Sequence, residues 1–259
     1  MRSSIAPSGT WSVTERETAR ELLIRYLRQR SELGERELYL AAPAAQRGAP
    51  VPVDAPPRDL PQSGPPGDPF EELRAEALVC TLCRLAETRS TVVFGEGDRH
   101  ADLLVVGEAP GHEEDRSGRP FVGAAGRLLD RMLRAIGFAR GEVYICNVLK
   151  CRPPGNRDPL PDEVAACRPY LRKQVELIEP KAICAFGRFA AQTVLNTERS
   201  LGRMRGAVHD FMGIPVVVTY HPAALLRNEA WKRPAWEDLK LLRRVYDEAG
   251  GRSPRGTDG

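Results

Sequence analysis

Leu103-Leu104-Val105-Val106-Gly107-Glu108-Ala109-Pro110-Gly111 is the stretch from which the fold can be read. Leu103 to Val106 are all aliphatic, with no polar residue alternating among them. That is the pattern of a strand covered on both faces, as in a parallel sheet. Gly107 and the Pro110-Gly111 pair then end the strand and turn the chain sharply. Val143-Tyr144-Ile145-Cys146, Ala182-Ile183-Cys184-Ala185-Phe186 and Pro215-Val216-Val217-Val218-Thr219 have the same character. Helical patterns separate these runs. Leu128, Leu129, Met132, Leu133 and Ile136 form one apolar stripe, closed by Gly137 as a C-cap, and Val164, Leu171, Val175 and Ile178 form another that starts near Pro161-Asp162. The expectation is an α/β fold, a three-layer α/β/α domain around a central, mainly parallel four-stranded sheet. Ligands in such sheets bind beyond the carboxyl ends of the strands, which is where Gly107-Glu108, Asn147 and Tyr220-His221 fall.

Outward from this centre the composition changes. Thr14 and Glu17 have capping-box spacing, and Ala19, Leu22, Leu23, Tyr26, Leu27 and Leu33 follow at helical intervals, which predicts an amphipathic helix that could carry a protein partner. Nine of the 22 prolines lie between Ala41 and Pro69, so that stretch is expected to be a solvated, disordered linker. A last helix carries Trp236, Leu239, Leu242, Val245 and Tyr246, and the residues from Gly250 on show no apolar pattern. The expected organisation is an extension over 1–40, a linker over 41–69, the folded domain over 70–249 and a disordered tail over 250–259. No apolar run nears the roughly 20 residues of a membrane helix, and no secretory signal pattern is seen, so a soluble cytoplasmic protein without membrane contact is expected. A net charge of +3 neither requires nor excludes nucleic acid.

In a reducing compartment six cysteines point to metal or cluster ligation rather than disulfides. Cys80-Thr-Leu-Cys83 forms one close pair, and Cys151 and Cys167 form a second, all assigned to loops or helix edges. Cys146 and Cys184 instead interrupt apolar strands and behave as small buried hydrophobes. Four thiolates suit zinc and a 4Fe-4S cluster equally, and spacing does not separate the two. Glu108, leaving its strand at a sharp turn, can hold a water as base or electrostatic partner. His221 precedes Pro222, which favours an extended backbone able to aim the imidazole into the cleft. Asn147 can be a turn residue or an amide that reads a base edge. Lys150, Arg152 and Arg157 are candidates for phosphate contacts or for a solvated charged face.

Taken together, these residues resemble the family 4 uracil-DNA glycosylases, the iron-sulfur branch of their superfamily. The resemblance runs from about Cys80 to Leu242. It rests on the cysteine pairs, Gly107 to Gly111, Gly118-Arg119-Pro120-Phe121-Val122-Gly123, Asn147-Val148-Leu149-Lys150-Cys151-Arg152-Pro153-Pro154, and His221-Pro222-Ala223-Ala224-Leu225-Leu226-Arg227. His112 departs from the family, whose members usually carry an acidic residue there. The resemblance implies a monomeric, monofunctional hydrolase that flips uracil out of single- or double-stranded DNA. It makes Glu108 and His221 catalytic, and gives the base to Gly107, Ala109, Glu114, Phe121 and Asn147, with Glu114 set against the methyl of thymine. Leu225, Leu226 and Arg227 become a minor-groove wedge, and Cys80, Cys83, Cys151 and Cys167 hold one structural 4Fe-4S cluster. A covalently trapping relative needs a His in an Arg-rich loop, and Pro153 to Leu160 contains none. A non-catalytic DNA-binding module stapled by zinc is the alternative from another class.

Overall fold

The computed structural model describes residues 67–252, all inside one compact unit spanning Leu60–Gly259. The helix expected over 14–33, most of the proline-rich stretch and residues 253–259 lie outside the described residues. From the amino end, the elements are α1 (Pro69–Leu78), β1 (Glu96–Gly97), β2 (Leu103–Gly107), α2 (His112–Ser117), α3 (Ala124–Ala135) and β3 (Tyr144–Asn147). They continue as α4 (Pro161–Ile178), β4 (Ala182–Phe186), α5 (Arg188–Leu195), α6 (Leu201–Met204), β5 (Val208–Phe211), β6 (Ile214–Thr219), α7 (Pro222–Arg227) and α8 (Lys232–Glu248).

The sheet order is β1-β3-β2-β4-β6-β5. β3, β2, β4 and β6 are mutually parallel and match the strands expected from the apolar runs. The sheet nevertheless has six strands rather than four, because β1 and β5 add antiparallel edges. β1 has two residues, too few to show any periodicity. β5 joins β6 through Met212 and Gly213, both at positive φ, which is the backbone of a two-residue type I′ hairpin. Met occupies a position where Asn or Asp would advertise that turn, so the hairpin is silent in the sequence.

The parallel strands alternate their side chains between two apolar layers, as the pleat requires. Leu104, Val106, Cys146, Ile183, Ala185, Val216 and Val218 pack with residues of α1, α4 and α5. Leu103, Val105, Ile145, Ala182, Cys184 and Val217 pack with α3, α7 and α8. These are the three layers expected. From β2 the chain moves to β3 on one side, then α4 carries it across to β4 on the other. That reversal opens a crevice at the carboxyl ends of β2 and β4. Among the described residues no helix is long and apolar enough to cross a membrane.

Candidate active site and cysteine hollow

The crevice is a cleft of about 420 Å³, within the range of small-molecule sites. Glu108, Ala109, Glu114, Phe121, Asn147, His221 and Arg227 all line it, so most of the residues expected at a site come together here. Asn147 ends β3, directly opposite Gly107 on β2. A Cβ at Gly107 would overlap the Asn147 Oδ1 and approach Phe121 Cζ to 2.5 Å. Gly107 therefore serves by leaving room for two other side chains, and does not itself line the cleft. Asn147 is 2% exposed, and its Oδ1 is the one buried side-chain polar atom among the described residues without a hydrogen-bond partner. Such an acceptor is costly to leave unpaired, so its neighbour is to be sought in a ligand N–H.

His221 follows β6 and caps α7. Its Nδ1 accepts from the Ala223 N–H at 3.2 Å. The neutral ring then carries its proton on Nε2, free to donate. Burial, joined by the charge of Arg227 and opposed by Glu114, lowers its pKa to about 4. The imidazole stacks on Phe121, with centroids 5.4 Å apart and planes 29° from parallel. Glu108 is half-buried just past β2. Burial, reinforced by Asp158 and opposed by Arg188, lifts its carboxyl to about 7. A cleft that keeps an imidazole neutral and a carboxyl poised near neutrality has the shifts associated with catalytic sites.

Glu114 plays a part the sequence did not disclose. Its Oε1 accepts from the N–H groups of Val122 (2.9 Å) and Gly123 (3.3 Å), and its Oε2 accepts from Gly111 N–H at 3.1 Å. It thus pins the two loops that flank the cleft. Arg140, also missed, donates to the carbonyls of Pro120 (2.6 Å) and Phe121 (3.3 Å) and holds Asp130 at 2.9 Å. Phe121 sits at φ 51°, a strained value for an aromatic residue, and these bonds fix it there. Gly126 on α3 lets the Phe121 carbonyl approach, since a Cβ there would overlap it. Behind His221, Tyr220 lies between the Arg205 guanidinium (4.1 Å) and the Trp231 ring (4.9 Å). Most of these supports join positions well apart along the chain and leave no local signature, whereas the Gly111–Glu114 bond has the three-residue spacing of a helix-start cap.

Other expectations need correction. Leu225, assigned to the wedge, is 2% exposed and belongs to the core beneath α7, whereas Leu226 is 45% exposed and Arg227 is exposed beside it. Leu225 lies on the side of α7 that packs into the core, and Leu226 and Arg227 lie on its solvent side. Lys150 is neither a phosphate contact nor a surface charge. It is fully buried, donating to Asn147 O at 2.8 Å and Gln174 Oε1 at 2.6 Å. Arg157 is engaged by the buried Glu163 through both guanidinium nitrogens, at 2.5 and 2.9 Å. Arg152 reaches Asn156 Oδ1 at 2.7 Å. His112 is exposed at the start of α2.

Cys80, Cys83, Cys151 and Cys167 line a single hollow together with Ala77, Leu82, Arg89, Lys150, Ala166 and Tyr170. Cys167 lies inside α4 rather than at a helix edge. Cys146 and Cys184 are buried in β3 and β4, as expected of small hydrophobes. Burial raises the Cys151 thiol, opposed by Arg89, whose Nη1 donates to its Sγ at 3.3 Å. It raises Cys167 to about 11, opposed by Lys150, whose backbone N–H donates to that Sγ at 3.2 Å. Burial thus disfavours the anions of Cys151 and Cys167, while each has an N–H donor in place that would steady a thiolate. Among the described residues no three His, Cys, Asp or Glu side chains are grouped to hold a single metal ion. Four thiols lining one hollow are a donor set that fits an iron-sulfur group.

Comparison with known proteins agrees with this geometry. The family model of the uracil DNA glycosylase superfamily matches residues 94–240. A type-4 uracil-DNA glycosylase of Archaeoglobus fulgidus is 42% identical over 181 residues, covering 67% of this chain and 91% of that protein. One of Thermotoga maritima is 44% identical over 175 residues, covering 66% and 91%. A type-5 uracil-DNA glycosylase of Pyrobaculum aerophilum is 31% identical over 226 residues, covering 74% and 99%. The higher identity lies with the type-4 proteins, and residues 94–240, matched by the superfamily model, include Glu108, Asn147 and His221. The chain belongs to the uracil-DNA glycosylase superfamily, in its type-4 branch.

Proposed function

We propose how this uracil-DNA glycosylase uses its cleft. A uracil flipped from DNA enters beside Phe121, whose aromatic surface offsets part of the unstacking cost. Asn147 Oδ1 accepts from uracil N3–H and its amide N–H donates to O4, a pairing that cytosine reverses. The unpartnered Oδ1 is the observation that carries this assignment. As the C1′–N1 bond breaks, its electron pair passes to the base and negative charge gathers on O2, where His221 Nε2–H donates. The Glu108 carboxylate favours the cationic sugar and accepts the proton of the water that adds to C1′. Glu114 keeps the walls of the cleft in register and sets its width against a C5 methyl. Leu226 and Arg227 contact the duplex, one as an apolar wedge and the other toward phosphate. Release of free uracil from a single-stranded oligonucleotide tests the assignment. If the oligonucleotide is bound but never cleaved, the chain is a binding module.

The hollow is assigned to one 4Fe-4S cluster held by Cys80, Cys83, Cys151 and Cys167. When bound, the cluster cross-links the end of α1, the loop after β3 and α4, and supplies no group to the bond being cleaved. The purified protein should be brown and contain iron and sulfide. Replacing any one of the four cysteines by Ala should remove the colour and lower the soluble yield, since a bound centre stabilises only the folded state. Cys146→Ala and Cys184→Ala should keep the colour. A colourless, active protein with one zinc per chain by elemental analysis would overturn the assignment.

A further inference from the structure

We propose that Lys150 couples the base-reading Asn147 to the cysteine hollow, so that occupancy of either site changes affinity at the other. The proposal rests on the assignments of both sites made above. Lys150 follows Asn147 by one turn of chain and precedes Cys151, and its side chain is 2% exposed. Its Nζ donates to the Asn147 carbonyl at 2.8 Å and to Gln174 Oε1 on α4 at 2.6 Å. Gln174 is anchored in turn, donating through Nε2 to Phe94 O at 2.9 Å. The Lys150 backbone N–H donates to Cys167 Sγ at 3.2 Å, and its carbonyl accepts from Val93 N–H at 2.8 Å. One residue therefore holds both the end of β3 that presents Asn147 and a cysteine of the hollow.

The charge of Lys150 makes this more than a scaffold. Among the described residues no carboxylate lies within ion-pair distance of its ammonium. A buried cation without a counter-ion is costly. Lys150 also lines the hollow, where four thiolates around an iron-sulfur group would supply the missing negative charge. Loading the hollow then favours the Lys150 position that grips the Asn147 carbonyl, and a base held by Asn147 favours that same position. Coupling of this kind is reciprocal by linkage.

The test follows iron release from the purified holoprotein to a ferrous chelator. The probe is an oligonucleotide carrying 2′-fluoro-deoxyuridine, whose glycosidic bond resists cleavage, and a thymidine oligonucleotide of the same sequence is the control. The uracil probe should slow iron release about fivefold or more, a typical coupling factor. Lys150→Met, similar in length and uncharged, should retain iron yet lose most of that protection. Its single-turnover excision rate should fall roughly 10- to 100-fold, the usual effect of removing a residue that orients a ligand from behind. If Lys150→Met does not load, Gln174→Leu removes the second acceptor without touching the cysteine loop and should lose protection likewise. Equal iron release with both oligonucleotides from an active, iron-loaded protein overturns the coupling and leaves both site assignments standing. Undiminished protection in the loaded variants overturns the role of Lys150. A protein that contains no iron overturns the proposal together with the cluster assignment, and elemental analysis shows this before any chelator is added.

Discussion

Asn147→Asp is expected to lose most uracil excision and to gain at most a slow release of cytosine. The substitution keeps an acceptor for uracil N3–H but turns the donor that faced O4 into a second acceptor. A mismatched buried polar pair costs roughly 1 to 3 kcal/mol, or about 5- to 150-fold in rate. Cytosine presents an N4–H2 donor that the carboxylate can take up, yet its N3 is an acceptor and opposes the same group unless a proton lies between them. Gain on cytosine is therefore limited. The backbone contribution can be separated, because Lys150 grips the Asn147 main-chain carbonyl and not its side chain. Single-turnover rates on uracil and cytosine oligonucleotides, compared at equal iron content, give the answer. Wild-type uracil rates in both Asn147→Asp and Asn147→Ala would reduce Asn147 to a strand-end residue and return base reading to backbone amides.

The four parallel strands were legible because burial on both faces leaves uninterrupted aliphatic runs, and the positions just beyond them place Glu108, Asn147 and His221 without further information. Turn chemistry that breaks the usual residue preferences was not legible, as at Met212. Nor were the bonds that give the site its shape. Glu114, Arg140 and Lys150 each act on main-chain groups, and main-chain groups carry no residue-specific mark. Lys150 shows the cost of reading a charge from its neighbours. Beside Cys151 and Arg152 it looked like part of a basic surface, yet the chain turns inward after β3 and buries it against α4. Leu225 fails as a wedge for a simpler reason, since it lies on the side of its helix that packs into the core while Leu226 stays exposed.

Glu108 and His221 should separate cleanly in a pH profile. Replacing either by Ala should depress the single-turnover rate by about 100-fold or more, with binding of the uracil oligonucleotide largely retained, because both act on charge that develops in the transition state. Only the ionised form of Glu108 can stabilise the cationic sugar and accept a proton. With its carboxyl lifted to about 7, the wild-type rate should climb tenfold per pH unit below that value and level off above it. His221, lowered to about 4, stays neutral across this range and adds no second limb. Glu108→Gln should be slow and flat with pH. Folding stability carries the opposite sign. Burial favours the neutral carboxyl, so stability present below the unfolded value near 4.5 is lost as pH rises through about 7, and Glu108→Gln should not share that loss. A flat wild-type rate between pH 5 and 8, or an ascending limb that survives in Glu108→Gln, would remove Glu108 from the chemistry. Activity would then have to come from the His221 donor and the fit of the base alone.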